Sequence, residues 1–176
     1  MRVIIAALLA AAVLAVACGD DGFTTMPTEN AQERGLVKNC KPESTAPART
    51  EGETFITKGG VEVVVVTVAP DTNPAQANDT IAVNYTGSLE DGDQFVDSLA
   101  QIGQPFTFGI HIGDVICGWV EGVVGMSPGE VRLLTIPPAL AYGDGGFGDL
   151  IPPDSVVVFE IEMLSFEEPE PTQAAP

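Results

Sequence analysis

Apolar residues fall into three patterns along the chain. Val3 to Ala17 is an unbroken uncharged run behind Arg2. At fifteen residues it falls short of the roughly 20 that a membrane-spanning helix needs. A basic start, an apolar middle and small residues at the end describe a secretory signal peptide over residues 1–17. Residues 18–54 then show no period. They are rich in Thr, Glu, Pro, Gly and Asn, and pieces such as Lys41-Pro42-Glu43-Ser44-Thr45 bury too little to offset ordering entropy. This stretch is expected to be a flexible tether; an extension packed on the domain, anchored by Leu36-Val37 and Cys40, is the alternative. From Val61 the period becomes that of strands. Val61 to Val68 is a β-branched run too rich in Val for a helix interior. Ala69 to Asn78, with Pro70 and Pro74, reads as a loop. Thr80 to Tyr85 reads as a strand, Thr86-Gly87 permits a bend, and Glu90-Asp91-Gly92-Asp93 reads as a turn. Phe106-Thr107-Phe108 alternates, and Glu130 to Ile136 and Val156 to Leu164 are strands. The one helix is predicted over Val115 to Met126, where Trp119, Val120, Val123 and Val124 share a face and Ser127-Pro128-Gly129 bars extension. Strands with one short helix argue an α+β fold, an antiparallel sheet wrapped on that helix. The domain is placed at residues 55–166, and the Glu- and Pro-rich tail 167–176 is expected to fray.

Charge narrows the function. The chain carries 25 acidic and 7 basic residues, a formal charge of −18. Phosphate backbones are bound through Lys and Arg, so a nucleic-acid partner is excluded. Between Gly59 and Phe166 the only basic residue is Arg132, against fifteen acidic ones, a net −14. The simpler reading is a solvated surface; attraction of cationic clients is the sharper one. Cysteine placement adds an address. Leu14-Ala15-Val16-Ala17-Cys18 resembles a bacterial lipobox, in which Cys18 is lipidated and becomes the new N-terminus, held at a membrane. Plain secretion after Ala15-Val16-Ala17 is the alternative. Three cysteines are too few for a disulfide scaffold. Whether Cys40 and Cys117 pair is left open by the sequence. A lone histidine, His111, cannot support a multi-histidine metal site, and no metal or cofactor is expected.

Candidate chemistry is then found by elimination. No nucleophile elbow or activated cysteine appears. Gly143-Asp144-Gly145-Gly146-Phe147-Gly148 resembles a phosphate loop, but Pro152 and Pro153 bar the helix such a loop must open. What remains is a set of large apolar residues near loops: Tyr85, Phe95, Phe106, Trp119, Tyr142, Phe147, Ile151 and Phe159. Singly each suits a core; together they suit the lining of an apolar pocket.

These residues lie in blocks that resemble FKBP-type peptidyl-prolyl isomerases. The blocks are Val83-Asn84-Tyr85-Thr86-Gly87, Leu89-Glu90-Asp91-Gly92, Pro105-Phe106-Thr107-Phe108, Val115-Ile116-Cys117-Gly118-Trp119, Leu134-Thr135-Ile136-Pro137-Pro138, Leu140-Ala141-Tyr142-Gly143, Ile151-Pro152-Pro153 and Val158-Phe159-Glu160. They follow the family's order over about residues 60–166. The resemblance implies a half-barrel antiparallel sheet wrapped around one short helix, with an apolar cleft for a proline side chain. Trp119 would be its floor and Tyr85, Phe106, Val115, Ile116 and Phe159 its walls. Tyr142 would offer its hydroxyl, and Ile116 its backbone N–H, to substrate carbonyls. Asp97 would be the buried acid of the cleft, and the loop bearing Phe147 would touch substrate. The implied activity is X–Pro isomerisation in extracytoplasmic, proline-containing polypeptide clients, with macrolides as potential inhibitors; a non-catalytic binding module on a surface lipoprotein is the alternative. The chain departs from the family between Gly92 and Pro105, which holds one extra residue, so that either Phe95 or Val96 fills an aromatic slot across a bulge. Ile102 falls nearest the place of an Arg that would pair with Asp97, so Asp97 is expected to lack an ion partner and to have a raised pKa.

Overall fold

The computed structural model describes Cys40 and residues 50–70, 73–97 and 103–167, the side chains of Asp97 and Glu167 excepted. The apolar leader, Cys18, Ile102 and the tail beyond Glu167 lie outside the described residues. Among the described residues, seven strands and one α-helix follow in the order β1 (Thr54–Ile56), β2 (Glu62–Thr67), β3 (Thr80–Leu89), β4 (Gln94–Asp97), β5 (Phe106–Gly109), α1 (Cys117–Val123), β6 (Val131–Ile136) and β7 (Val157–Glu167). They form one sheet, ordered β1-β2-β6-β7-β3-β4, with β5 also paired to β3. Every pairing is antiparallel. The expected α+β architecture is therefore present.

Alternation decides which way each strand faces. In β6, Arg132, Leu134 and Ile136 are buried, while Val131, Leu133 and Thr135 are only partly so. In β7, Val157, Phe159, Ile161 and Met163 point the same way and are fully buried. The concave face so formed is filled by α1, all of whose residues are buried. Two glycines let the helix lie this close. A Cβ at Gly118 would collide with Ile136, and one at Gly122 with Leu134. Only residues without a side chain permit that approach.

The structure also departs from the expectations in three places. The helix is shorter than Val115 to Met126. Ile116 is extended at its start and Val124 at its end, because the Gly125 N–H donates to Ala75 and the last carbonyls, of Gly122 and Val124, accept from Arg132. No bend ends β3 at Thr86-Gly87; it runs on to Leu89, paired with β7 throughout. The irregularity lies in β4, where Gly87 opposes Val96 and Ser88 opposes Gln94, leaving Phe95 as the extra residue of a bulge. Finally, the sheet starts ahead of residue 55. The Gly52 N–H donates to Val65, Thr54 pairs with Val64, and Cys40 is joined by a disulfide to Cys117 with a Cα–Cα distance of 5.1 Å.

Candidate functional site

Trp119 is carried to the middle of the fold by α1 and is 1% exposed. Four rings surround its indole. Tyr85 from β3 stands edge-on at 4.9 Å, Phe159 from β7 edge-on at 5.2 Å, Phe108 from β5 at 5.3 Å, and Phe106 edge-on at 6.2 Å. Edge-to-face contacts of this kind contribute about 0.5–1.5 kcal/mol each beyond area burial. They also lock the indole in one orientation. The indole N–H is buried and meets no acceptor among the described residues.

Phe106 stays partly exposed at the edge of this box and meets Tyr85 at 5.9 Å. Val115 and Ile116, both buried, lead into α1. Ile116 caps the helix with an extended backbone and no side-chain cap. The first N–H groups of a helix have no intrahelical acceptor, which makes this end a donor edge. Tyr142 enters from the segment after β6, where it precedes a 3-10 turn at Gly143–Gly145. It packs against Phe147 at 5.9 Å, and Phe147 pairs in turn with Ile151. Phe95, the bulged residue, meets Phe159 edge-on at 5.7 Å, and Val96 beside it is buried. Both residues thus fill the slot that the sequence left between them.

Burial sets the electrostatics. It pushes the Tyr85 phenol up to about 12. Burial, reinforced by the nearby Tyr85, raises Tyr142 further still. Both hydroxyls therefore keep their protons at neutral pH and can donate.

The structure thus brings together Tyr85, Phe106, Val115, Ile116, Trp119 and Phe159, with Phe95 behind Phe159 and with Tyr142, Phe147 and Ile151 on an adjoining loop. Asp97 ends β4 opposite Thr86, but its side chain lies outside the described residues, so neither its burial nor the expected pKa shift can be placed. Sequence reasoning passed over Phe108. Its signal was present, since Phe106-Thr107-Phe108 alternates and puts both rings on one face, where they stack at 5.5 Å. It also passed over Glu121 of α1, whose carboxylate accepts from the Thr57 hydroxyl at 2.6 Å and the Gly59 N–H at 2.8 Å, fastening the β1–β2 hairpin to the helix. Among the described residues no group of three or more His, Cys, Asp or Glu could hold a metal ion. The arrangement is a dry aromatic box with hydroxyl and amide donors at its edge.

Comparison with known proteins meets the same residues. The sequence pattern of the FKBP-type peptidyl-prolyl cis-trans isomerases matches residues 71–164. FK506-binding protein 2 of Yarrowia lipolytica is 51% identical over 96 residues, 54% of this chain and 66% of that protein; the chain thus spans just under two thirds of that relative. FK506-binding protein 1 of Kluyveromyces lactis is 40% identical over 107 residues, 61% of this chain and 93% of that protein. The crystal structure of AtFKBP13 superposes with a TM-score of 0.58 at 36% identity, over 65% of this chain and 99% of that one. The matched stretch takes in more than half of the sequence and every ring of the aromatic box, and on that ground the chain belongs to the FKBP-type peptidyl-prolyl cis-trans isomerase family.

Proposed function

We propose that the box around Trp119 receives a proline side chain and that the protein catalyses X–Pro isomerisation in polypeptide clients. The observation that carries this reading is the indole floor ringed by Tyr85, Phe106, Phe108 and Phe159, with Tyr142 on the adjoining loop. Val115 and Ile116 complete the wall, and Phe95, Phe147 and Ile151 support the rim.

The chemistry needs no nucleophile. The barrier to rotating a peptide bond, about 18–20 kcal/mol, is lost resonance. Unaided X–Pro isomerisation takes about 10–100 s. The planar amide is more charge-separated than the twisted one, so a dry aromatic pocket disfavours the ground state more than the transition state. Donors fixed for the twisted form add to that difference. The Tyr142 hydroxyl and the Ile116 N–H fill those roles in this reading, and Asp97 is its acid. Macrolide inhibitors would compete for the same cleft.

The test is isomerisation of short X–Pro peptides by the full chain. Tyr142→Phe removes one neutral hydrogen bond, and kcat/KM is expected to fall about three- to tenfold with the fold intact. A folded protein with no acceleration on any peptide would promote the alternative, a non-catalytic module that captures prolyl segments.

The same proposal places the protein outside the cytoplasm, lipidated on Cys18. The leader pattern of residues 1–17 supports it. So does the Cys40–Cys117 disulfide, a bond favoured in oxidising compartments. In a bacterial host, Cys18→Ala is expected to abolish palmitate labelling and move the protein from the membrane to the soluble fraction. Unchanged membrane association would point to another anchor.

A further inference from the structure

Between Gly59 and Phe166 the chain has one Lys or Arg, Arg132, and that residue is wholly buried. Across this stretch no lysine or arginine reaches the described surface. Just before it, Lys58 of the β1–β2 turn is exposed; solubility asks for net charge without excluding exposed cations of the minority sign. The carboxylates are also placed with respect to the cleft. Asp144 lies in the 3-10 turn that begins directly after Tyr142. Asp149 sits at the tip of the loop closed by the Phe147–Ile151 pair. Asp154 comes back alongside, its N–H donating to the Gly143 carbonyl at 2.9 Å. All three side chains are exposed, and none has an ion-pair or hydrogen-bond partner among the described residues. Directly before this turn Tyr142 is only 8% exposed, and its hydroxyl has no hydrogen-bond partner among the described residues. A donor with no acceptor among the described residues marks where a ligand's backbone passes, and the three carboxylates lie on the turn and loop that follow that tyrosine.

Resting on the reading of the cleft as a prolyl site, we infer that it selects prolyl segments bearing Lys or Arg close to the proline, with Asp144, Asp149 and Asp154 as the residues that set this preference. Charges on one rim of a cleft with low-dielectric walls focus the field at its mouth. They raise the encounter rate of cationic peptides and oppose anionic ones. The effect is confined to within about 10 Å at 0.1 M salt, so only basic residues near the proline feel it.

The test uses the full chain and three peptides with the same X–Pro bond: one neutral, one flanked by two lysines and one flanked by two glutamates. At low salt the lysine peptide is expected to exceed the glutamate peptide in kcat/KM by about tenfold, and the gap to close by 0.5 M NaCl. In D144N/D149N/D154N the gap shrinks to about twofold while the neutral peptide is turned over as before. Asparagine tolerates the left-handed backbone of Asp154, φ 57°, so this variant keeps the loop. Equal rates for the two charged peptides at low salt, or a gap that survives in the triple variant, overturn the inference. The neutral peptide separates the two claims. If none of the peptides is accelerated, the isomerase reading fails, and the binding of the same peptides, followed through the fluorescence of Trp119, still decides the charge preference by the same ordering.

Discussion

Breaking the Cys40–Cys117 bond is expected to lower the stability of the domain by about 4 kcal/mol, from the entropy of the loop it closes. The bond spans 77 residues, so it removes many conformations from the unfolded chain. A typical domain has about 5–15 kcal/mol in total, which makes this a large part of it to remove. The position of the bond adds a functional consequence. Cys117 is the first residue of α1, between the Ile116 cap and Trp119, and Cys40 is part of the buried core. The tie thus fixes the helix start, with its donor edge, to the buried Cys40. Urea unfolding followed by the single tryptophan checks this, with and without reductant. Reduced protein, Cys40→Ser, Cys117→Ser and the double variant should share one lowered midpoint. The double variant should be no worse than either single one, because each alone already breaks the bond. A midpoint that ignores reductant would show that the cross-link contributes nothing.

That bond was also the feature the sequence was least able to show. Cys40 lies in a polar stretch without period, and beside it only Leu36-Val37 hinted at a segment fastened to the domain rather than a tether. Covalent pairing across 77 residues is a fact of tertiary structure. The strands were legible for the opposite reason. Val-rich runs in β2 and alternation in β6 and β7 follow from one face being buried, and the expected bounds agree with the structure to within a few residues. The helix was overread because Val115, Val124 and Met126 are apolar for the core's sake; all three are buried, yet lie outside Cys117–Val123. The bend that Thr86-Gly87 permits is not taken, because that glycine makes room for its neighbours across the sheet. A Cβ there would run into Phe159, Val96 and Phe95, the last being the bulged residue. The cleft was read from motif resemblance, since periodicity alone cannot tell a pocket lining from a core.

Arg132→Ala is expected to cost about 3–5 kcal/mol, because it breaks a buried ion pair from one side. The sequence counted this residue as the lone Lys or Arg between Gly59 and Phe166. Its register told more, since it alternates with Leu134 and Ile136 on the inward face of β6. There it is fully buried, with Nε donating to Glu130 Oε1 at 2.6 Å and Nη1 to the carbonyls of Gly122 at 2.8 Å and Val124 at 2.9 Å. Its guanidinium also lies 5.9 Å from the centre of the Phe55 ring. One side chain therefore closes the end of α1, neutralises Glu130 and packs beside β1. Removing it leaves the Glu130 carboxylate buried without its charge partner and two helix carbonyls without a donor. The pair itself need not be net stabilising, since two charges lose hydration on burial. Arg132→Met together with Glu130→Gln separates these terms. Gln can still accept from the Ser127 N–H, which Glu130 holds at 3.1 Å, and neither residue then carries a charge. The double variant should recover about 1–2 kcal/mol over Arg132→Met alone, consistent with the coupling of groups in contact. Losses that simply add would mean that Arg132 acts through the helix carbonyls and Phe55 alone. Peptide turnover per folded molecule should be unchanged in either variant, because Arg132 meets the far end of α1 from Ile116, and the cleft is built on the near one.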